Sequence, residues 1–115
     1  MDKRRFVRYA SSAKVRINKY TRILVLMRDI SLYGCCLSYP DTQSASMIDL
    51  ETDDEYTLEV FPEPEEIGAF SVNIKPRWTR IRGEMRETGC LIDRFPTEED
   101  REKFTAYIKW QADRA

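Results

Sequence analysis

Apolar and polar positions alternate with a period of two through most of this chain, and the period lengthens only near its end. Val15 and Ile17 alternate with Lys14, Arg16 and Asn18, which predicts a short half-buried strand. Asn18-Lys19-Tyr20 follows as a turn. Thr21 to Met27 is dense in Ile23, Leu24, Val25 and Leu26, which predicts a strand buried on both faces or nearly so. Asp29 to Gly34 reads as a turn, and Cys35 to Tyr39 as an extended segment. Residues 40–54 are polar and acidic, a loop. Tyr56 to Phe61 alternates again until Pro62 and Pro64 break it. Phe70, Val72 and Ile74 alternate, with Trp78 to Ile81 continuing after a bend at Pro76. Gly89 to Phe95 is the last strand.

The end differs in kind. Thr97-Glu98-Glu99-Asp100 is a helix start, with acidic residues where the helix dipole favours them. Phe104, Tyr107, Ile108 and Gln111 fall on one face at helical spacing, so the expected helix covers 97–112. Five or six short strands with turn signals every ten or so residues, then one helix, predict an all-β antiparallel sandwich or barrel. The helix would cover one open end. The 115 residues suit one domain, 1–115. It divides into a flexible arm (1–12), a barrel (13–95) and the helix.

Composition narrows the chemistry. The chain has 42% hydrophobic and 34% charged residues, ordinary for a globular protein. No apolar run reaches the ~18 residues of a membrane span, and no apolar stretch follows the basic start as in a signal peptide. The expectation is a cytoplasmic protein without membrane insertion. There is no histidine, which removes the commonest general base and metal ligand. Cys35, Cys36 and Cys90 show no C-x-x-C spacing. Neighbouring Cys35 and Cys36 point to opposite faces of a strand and are poorly placed to bond each other, so reduced, partly buried thiols are expected. The acidic loop lacks the spacing and glycine of a calcium-binding loop. No catalytic residues and no metal site are expected.

The net charge of −1 conceals segregation. Residues 1–28 carry nine basic side chains and one acidic, 29–66 carry eleven acidic and none basic, and 67–95 carry six basic and three acidic. So basic an N-terminus suggests an anionic partner, or pairing with the acidic middle of the same chain.

Two short patterns stand in order. Arg4-Arg5-Phe6-Val7-Arg8 contains R-x-x-x-R, and Asp29-Ile30-Ser31-Leu32-Tyr33-Gly34 is D-x-S-x-x-G. Each alone is common; the second could be an Asx or Ser turn closed by a glycine of positive φ. Together, with strands between and after them, they resemble the PilZ domain family of cyclic di-GMP receptors. Arg4 and Arg8 match its R-x-x-x-R; Asp29, Ser31 and Gly34 match its D/N-x-S-x-x-G. Trp78, then Gly89-Cys90-Leu91-Ile92-Asp93-Arg94-Phe95, resembles the family's late strand and the hairpin into a Gly-x-x-x-x-x-Phe strand. The likeness covers roughly residues 3–95. It implies a six-stranded antiparallel PilZ-like β-barrel with a C-terminal α-helix, whose N-terminal arm folds over bound nucleotide.

The chemistry is consistent with that implication. A guanidinium forks onto phosphate oxygens or onto guanine O6 and N7, and it stacks on a purine face. The Asp29 carboxylate accepts from the N1–H and N2–H₂ edge of guanine, a donor pair that adenine lacks. Ser31 adds a hydroxyl, and Gly34 allows a tight turn and close backbone approach. Arg5 and Lys3 are second-tier. Lys3 stands where the family's choice between one and two bound dinucleotides is influenced, and stoichiometry is left open. Trp78 and Trp110 are expected to pack rather than to stack on a ligand. Arg77, Arg80, Arg82 and Arg86 are expected on a charged outer strand face. With the first motif arginine at residue 4, a stand-alone module is expected, an adaptor whose arm is reordered by cyclic di-GMP and read by a separate effector protein. Its alternative is a nucleotide-independent protein–protein module. A barrel binding RNA or single-stranded DNA is disfavoured by the pI of 5.6 and by unclustered aromatics.

Overall fold

A computed structural model describes residues 7–41 and 48–115. Seven strands and one helix form: β1 (Tyr9–Ala10), β2 (Lys14–Ile17), β3 (Val25–Ile30), β4 (Gly34–Pro40), β5 (Tyr56–Phe61), β6 (Phe70–Arg82), β7 (Met85–Arg94) and α1 (Glu98–Arg114). Strands β3-β2-β5-β6-β7-β4 lie side by side, and β4 pairs back onto β3. Every pairing is antiparallel, so six strands close a barrel and leave no internal edge. β1 adds to β3 beyond the point where β2 leaves it, with Tyr9 opposite Ile30 and Ala10 opposite Asp29.

The inward residues of each strand fill the barrel. Val15, Ile17, Val25, Met27, Leu37, Leu58, Val60, Val72 and Ile74 are all buried. Branched and aromatic side chains suit that pleated surface. α1 begins at Thr97, whose side chain accepts the Asp100 N–H. Asp100 in turn accepts the Ser71 N–H of β6 at 2.8 Å, which fixes the helix start against the barrel. Phe104 and Tyr107 pack on Phe70, each with ring centroids 6.1 Å apart. The helix face expected from spacing is the buried one.

Four expectations need correction. The first-turn side of β3 is not strand: it begins at Val25, Thr21 to Ile23 turn, and Leu24 is 59% exposed. The strand buried on both faces is β4, where Gly34 to Tyr39 are all buried. Asp29 and Ile30 belong to β3, and only residues 31–33 turn. β7 begins at Met85 rather than Gly89 because Gly83, at φ +64°, opens a two-residue hairpin turn that lets pairing run to the strand ends.

Two of the irregularities in the ladders matter most. Met27 pairs with Leu37 and Asp29 with Cys36, leaving Arg28 as an extra residue on β3. Pro76 pairs with Cys90 and Trp78 with Gly89, leaving Arg77 extra on β6. Met27 and Pro76 face inward, so strict alternation would send Asp29 and Trp78 inward as well. Each bulge reverses that, placing both on the outer face.

Candidate functional site

The outer face acquires one row across the sheet: Ala10, Asp29, Cys36, Gly89 and Trp78 are successive register partners. Asp29 to Trp78 spans three strand spacings, about 14 Å. A cavity of about 380 Å³ lies at this end, lined in part by Arg8, Ser31, Gly34, Trp78, Gly89 and Leu91. That volume falls within the range of small-molecule sites, about 300–1,000 Å³. A groove of about 420 Å³ between Ser12, Lys14, Phe61 and Glu63 contains none of the motif residues.

Arg8, just before β1, donates from Nη1 to Asp29 Oδ1 at 2.7 Å. The arm and the second motif are therefore joined directly. Ser31 is buried, and its hydroxyl closes the turn. Its Oγ accepts the N–H groups of Tyr33 at 3.2 Å and Gly34 at 3.1 Å, while its own N–H donates to the Gly34 carbonyl at 2.8 Å. Gly34 does not have positive φ. A Cβ there would stand 2.8 Å from the Cys90 carbonyl oxygen, so glycine is required by the close approach of β7. Lys3, Arg4 and Arg5 lie outside the described residues.

Sequence reasoning left out several residues of this cavity. Trp78 is 46% exposed and lies over Gly89, where any Cβ would overlap its ring. It packs on that glycine and also lines the cavity. The Arg80 guanidinium is 5.2 Å from the ring centroid. The quoted Gly89–Phe95 likeness pointed to this strand without giving Gly89 a role; its lack of a side chain is what seats the indole.

Cys35 and Cys90 are cross-strand partners, and all three cysteines are free and buried. The neighbouring Cys90 thiol and burial push Cys35 well above the ordinary thiol range. Burial, with the Asp29 and Glu87 carboxylates nearby, pushes Cys36 up to about 11. Both of these thiols stay protonated at neutral pH. Among the described residues no cluster of three metal-ligating side chains forms, and no helix is long and apolar enough to cross a membrane.

The arm is tied to the helix as well as to the site. Ser11 N–H donates to the Arg28 carbonyl, and Ser11 Oγ shares a 2.8 Å hydrogen bond with the Tyr107 hydroxyl. Tyr107 is fully buried; it donates to Glu63 at 2.6 Å and accepts from Gln111 at 3.0 Å. Glu63 also accepts from Ser12 N–H at 3.0 Å. Arm, β5–β6 loop and α1 thus meet on one hydroxyl. Burial and the hydrogen bond to Glu63 raise Tyr107 to about 12. Burial works to raise Glu63, but the bonds from Tyr107 and Ser12 outweigh it and hold the carboxyl below its usual range.

Several solved structures share the fold, two PilZ proteins among them. The inhibitor of motility MotI/DgrA of Bacillus subtilis superposes with a TM-score of 0.72 at 17% identity, over 100% of this chain and 54% of that one. This chain thus spans about half the length of MotI/DgrA. The PilZ domain of YcgR from Escherichia coli, solved with c-di-GMP, gives a TM-score of 0.56 at 16% identity over 97% of this chain and 94% of that one. No curated protein sequence matches. The profile of the PilZ domain family matches residues 2–110, nearly the whole chain and both motifs, so the chain belongs to the PilZ domain family.

Proposed function

We propose that the chain is a cyclic di-GMP receptor without catalytic activity, working in the cytoplasm through a separate effector protein. The observation that carries this reading is the meeting of Arg8 and Asp29, 21 residues apart, at 2.7 Å beside a cavity of about 380 Å³. Arg8, with Arg4 and Arg5 before it, supplies guanidiniums for phosphate and for the guanine Hoogsteen edge. Asp29 takes the guanine N1–H and N2–H₂ donors. Ser31 and Gly34 position that carboxylate and bring β7 close, and Lys3 bears on the number of dinucleotides held. The YcgR domain, similar in fold, was solved with the same dinucleotide.

Ligand seated on Arg8 displaces the Asp29 partnership and moves the arm. Ser11 and Ser12 stand three and four residues further on and bond Tyr107 and Glu63. The shift is thereby passed to α1, where an effector can read it. Isothermal titration with cyclic di-GMP, against GTP, GMP and cyclic di-AMP, tests the reading on wild type and Arg8→Ala. Saturable heat with cyclic di-GMP alone, lost or greatly weakened in the variant, is expected. Absence of heat at high ligand concentration refutes it.

A second reading is a PilZ-fold module that binds proteins without nucleotide. It is favoured by the closed state of the motif: Arg8 donates to Asp29, and the Ser31 hydroxyl is turned into its own loop. The same titration separates the two.

A further inference from the structure

The β6–β7 hairpin carries a second surface, its outer edge, of which only Arg77 and Trp78 reach the cavity of the nucleotide reading. β5 accompanies β6 only as far as Tyr56 opposite Ile74. Asp53 N–H then takes the Pro76 carbonyl at 3.1 Å. Beyond it, among the described residues, no strand pairs with the outer edge of Arg77–Arg82. All six residues are exposed, including Ile81 at 58%. Arg82 and Met85 flank a two-residue turn. Such flanking residues exchange both hydrogen bonds, so Thr79 and Ile81 direct their N–H and C=O groups away from β7, toward that open edge.

The charge on this edge is organised. Arg80 and Arg82 of this strand converge on Glu87 at 2.9 and 3.6 Å, and Arg28 reaches the same carboxylate from β3 at 3.8 Å. The Glu87 side chain is 4% exposed, whereas each guanidinium-bearing side chain is more than half exposed. One inaccessible carboxylate therefore holds three accessible cations in place and leaves an excess of positive charge facing solvent. Side chains fixed in advance lose less entropy on binding. Charges commonly guard strand edges against aggregation, but here the guanidiniums are tethered and Ile81 is left uncovered beside them. A second copy of the same edge would set arginine against arginine, which is unfavourable across a ladder.

We propose that the outer edge of β6, Arg77–Arg82, receives an extended acidic segment of a partner protein, which adds to the barrel as a further strand. Trp78, Arg80 and Arg82 share one face of β6, and Thr79 and Ile81 the other. The segment that fits alternates carboxylate side chains over the arginines with apolar ones beside Ile81.

The test uses the full chain without nucleotide, so its result is independent of the dinucleotide reading. The probe is a fluorescein-labelled peptide of about eight residues, the length of an ordinary strand, alternating Glu and Val. The controls are its Lys–Val counterpart and an oligouridylate. Anisotropy is expected to report saturable, salt-sensitive binding of the Glu–Val peptide, weakened about 10-fold or more in Arg80→Gln/Arg82→Gln. In the wild-type protein, amide exchange at Thr79 and Ile81 should slow when the peptide is present. No saturable binding, equal binding by the variant, or unchanged exchange at those two amides would overturn the proposal. Preferential binding of the oligouridylate would overturn it in favour of a nucleic-acid surface.

Discussion

Arg8 and Asp29 neutralise each other across 2.7 Å through Nη1 and Oδ1, so a ligand that takes that donor or that acceptor must part the pair. Both are partly exposed, and an exposed pair contributes only about 0–1 kcal/mol; parting it is cheap beside the charge-assisted contacts a dinucleotide offers. Asp29→Asn should keep the fold but lose affinity for cyclic di-GMP by about 10-fold or more, with its margin over cyclic di-AMP narrowed, measured by competition titration. Ser31→Ala tests a different property. Its hydroxyl accepts two N–H groups in a buried turn, so removal should cost about 1–3 kcal/mol of stability, read from urea denaturation. These residues could be singled out as candidates from the sequence because D-x-S-x-x-G is a local pattern. The direction of the Ser31 hydroxyl was not, because a turn that caps itself and a turn that offers its hydroxyl to a ligand have the same spelling.

The strands were largely legible, because alternation reports which side faces a core. It failed where a strand carries an extra residue: nothing in the period announces Arg28 or Arg77 as a bulge, and the outward placement of Trp78 followed from one. Thr21 to Leu24 misled for a related reason. A run of branched residues reads as buried strand, yet the pairing of β3 starts only at Val25. Contacts between distant elements left no local trace, and the Tyr107 hydroxyl is the clearest of them. Tyr107→Phe removes a donor to Glu63 and an acceptor for Gln111 while keeping the ring. We expect a loss of about 1–3 kcal/mol by thermal unfolding. We also expect cyclic di-GMP to bind the variant while α1 exchange no longer responds to it. Gly89→Ala should dislodge the Trp78 indole, observable as a red-shifted fluorescence spectrum.

Across the molecule, the segregated charges largely meet one another: Arg8 with Asp29, Arg16 with Glu59, Arg77 with Asp53, Arg86 with Asp41 and Arg94 with Glu55. Part of the pH profile follows from Glu87, Glu63 and Tyr107. The hydrogen bond from Arg80 and the surrounding guanidiniums hold Glu87 below the carboxylate range, and Glu63 is lowered too. Their stabilisation is complete above the usual carboxylate value of about 4.3 and is lost as pH falls through their lower folded values. Tyr107, raised to about 12, acts in the opposite sense: its contribution is complete below about 10 and disappears as pH climbs through 12. Thermal melts should therefore show a broad plateau with two flanks, and Glu87→Gln should flatten the acid one. The two bulges have a consequence of another kind. Deleting Arg28 or Arg77 would remove no motif residue, yet it would rotate every later position of its strand by half a turn, burying a carboxylate or an indole and turning an isoleucine or a threonine outward. Site and interior are thus tied to the same count of residues. A grafted version of this surface must copy the insertions before the side chains, and among relatives a single-codon gap at either place should mark a barrel that has given up the cavity.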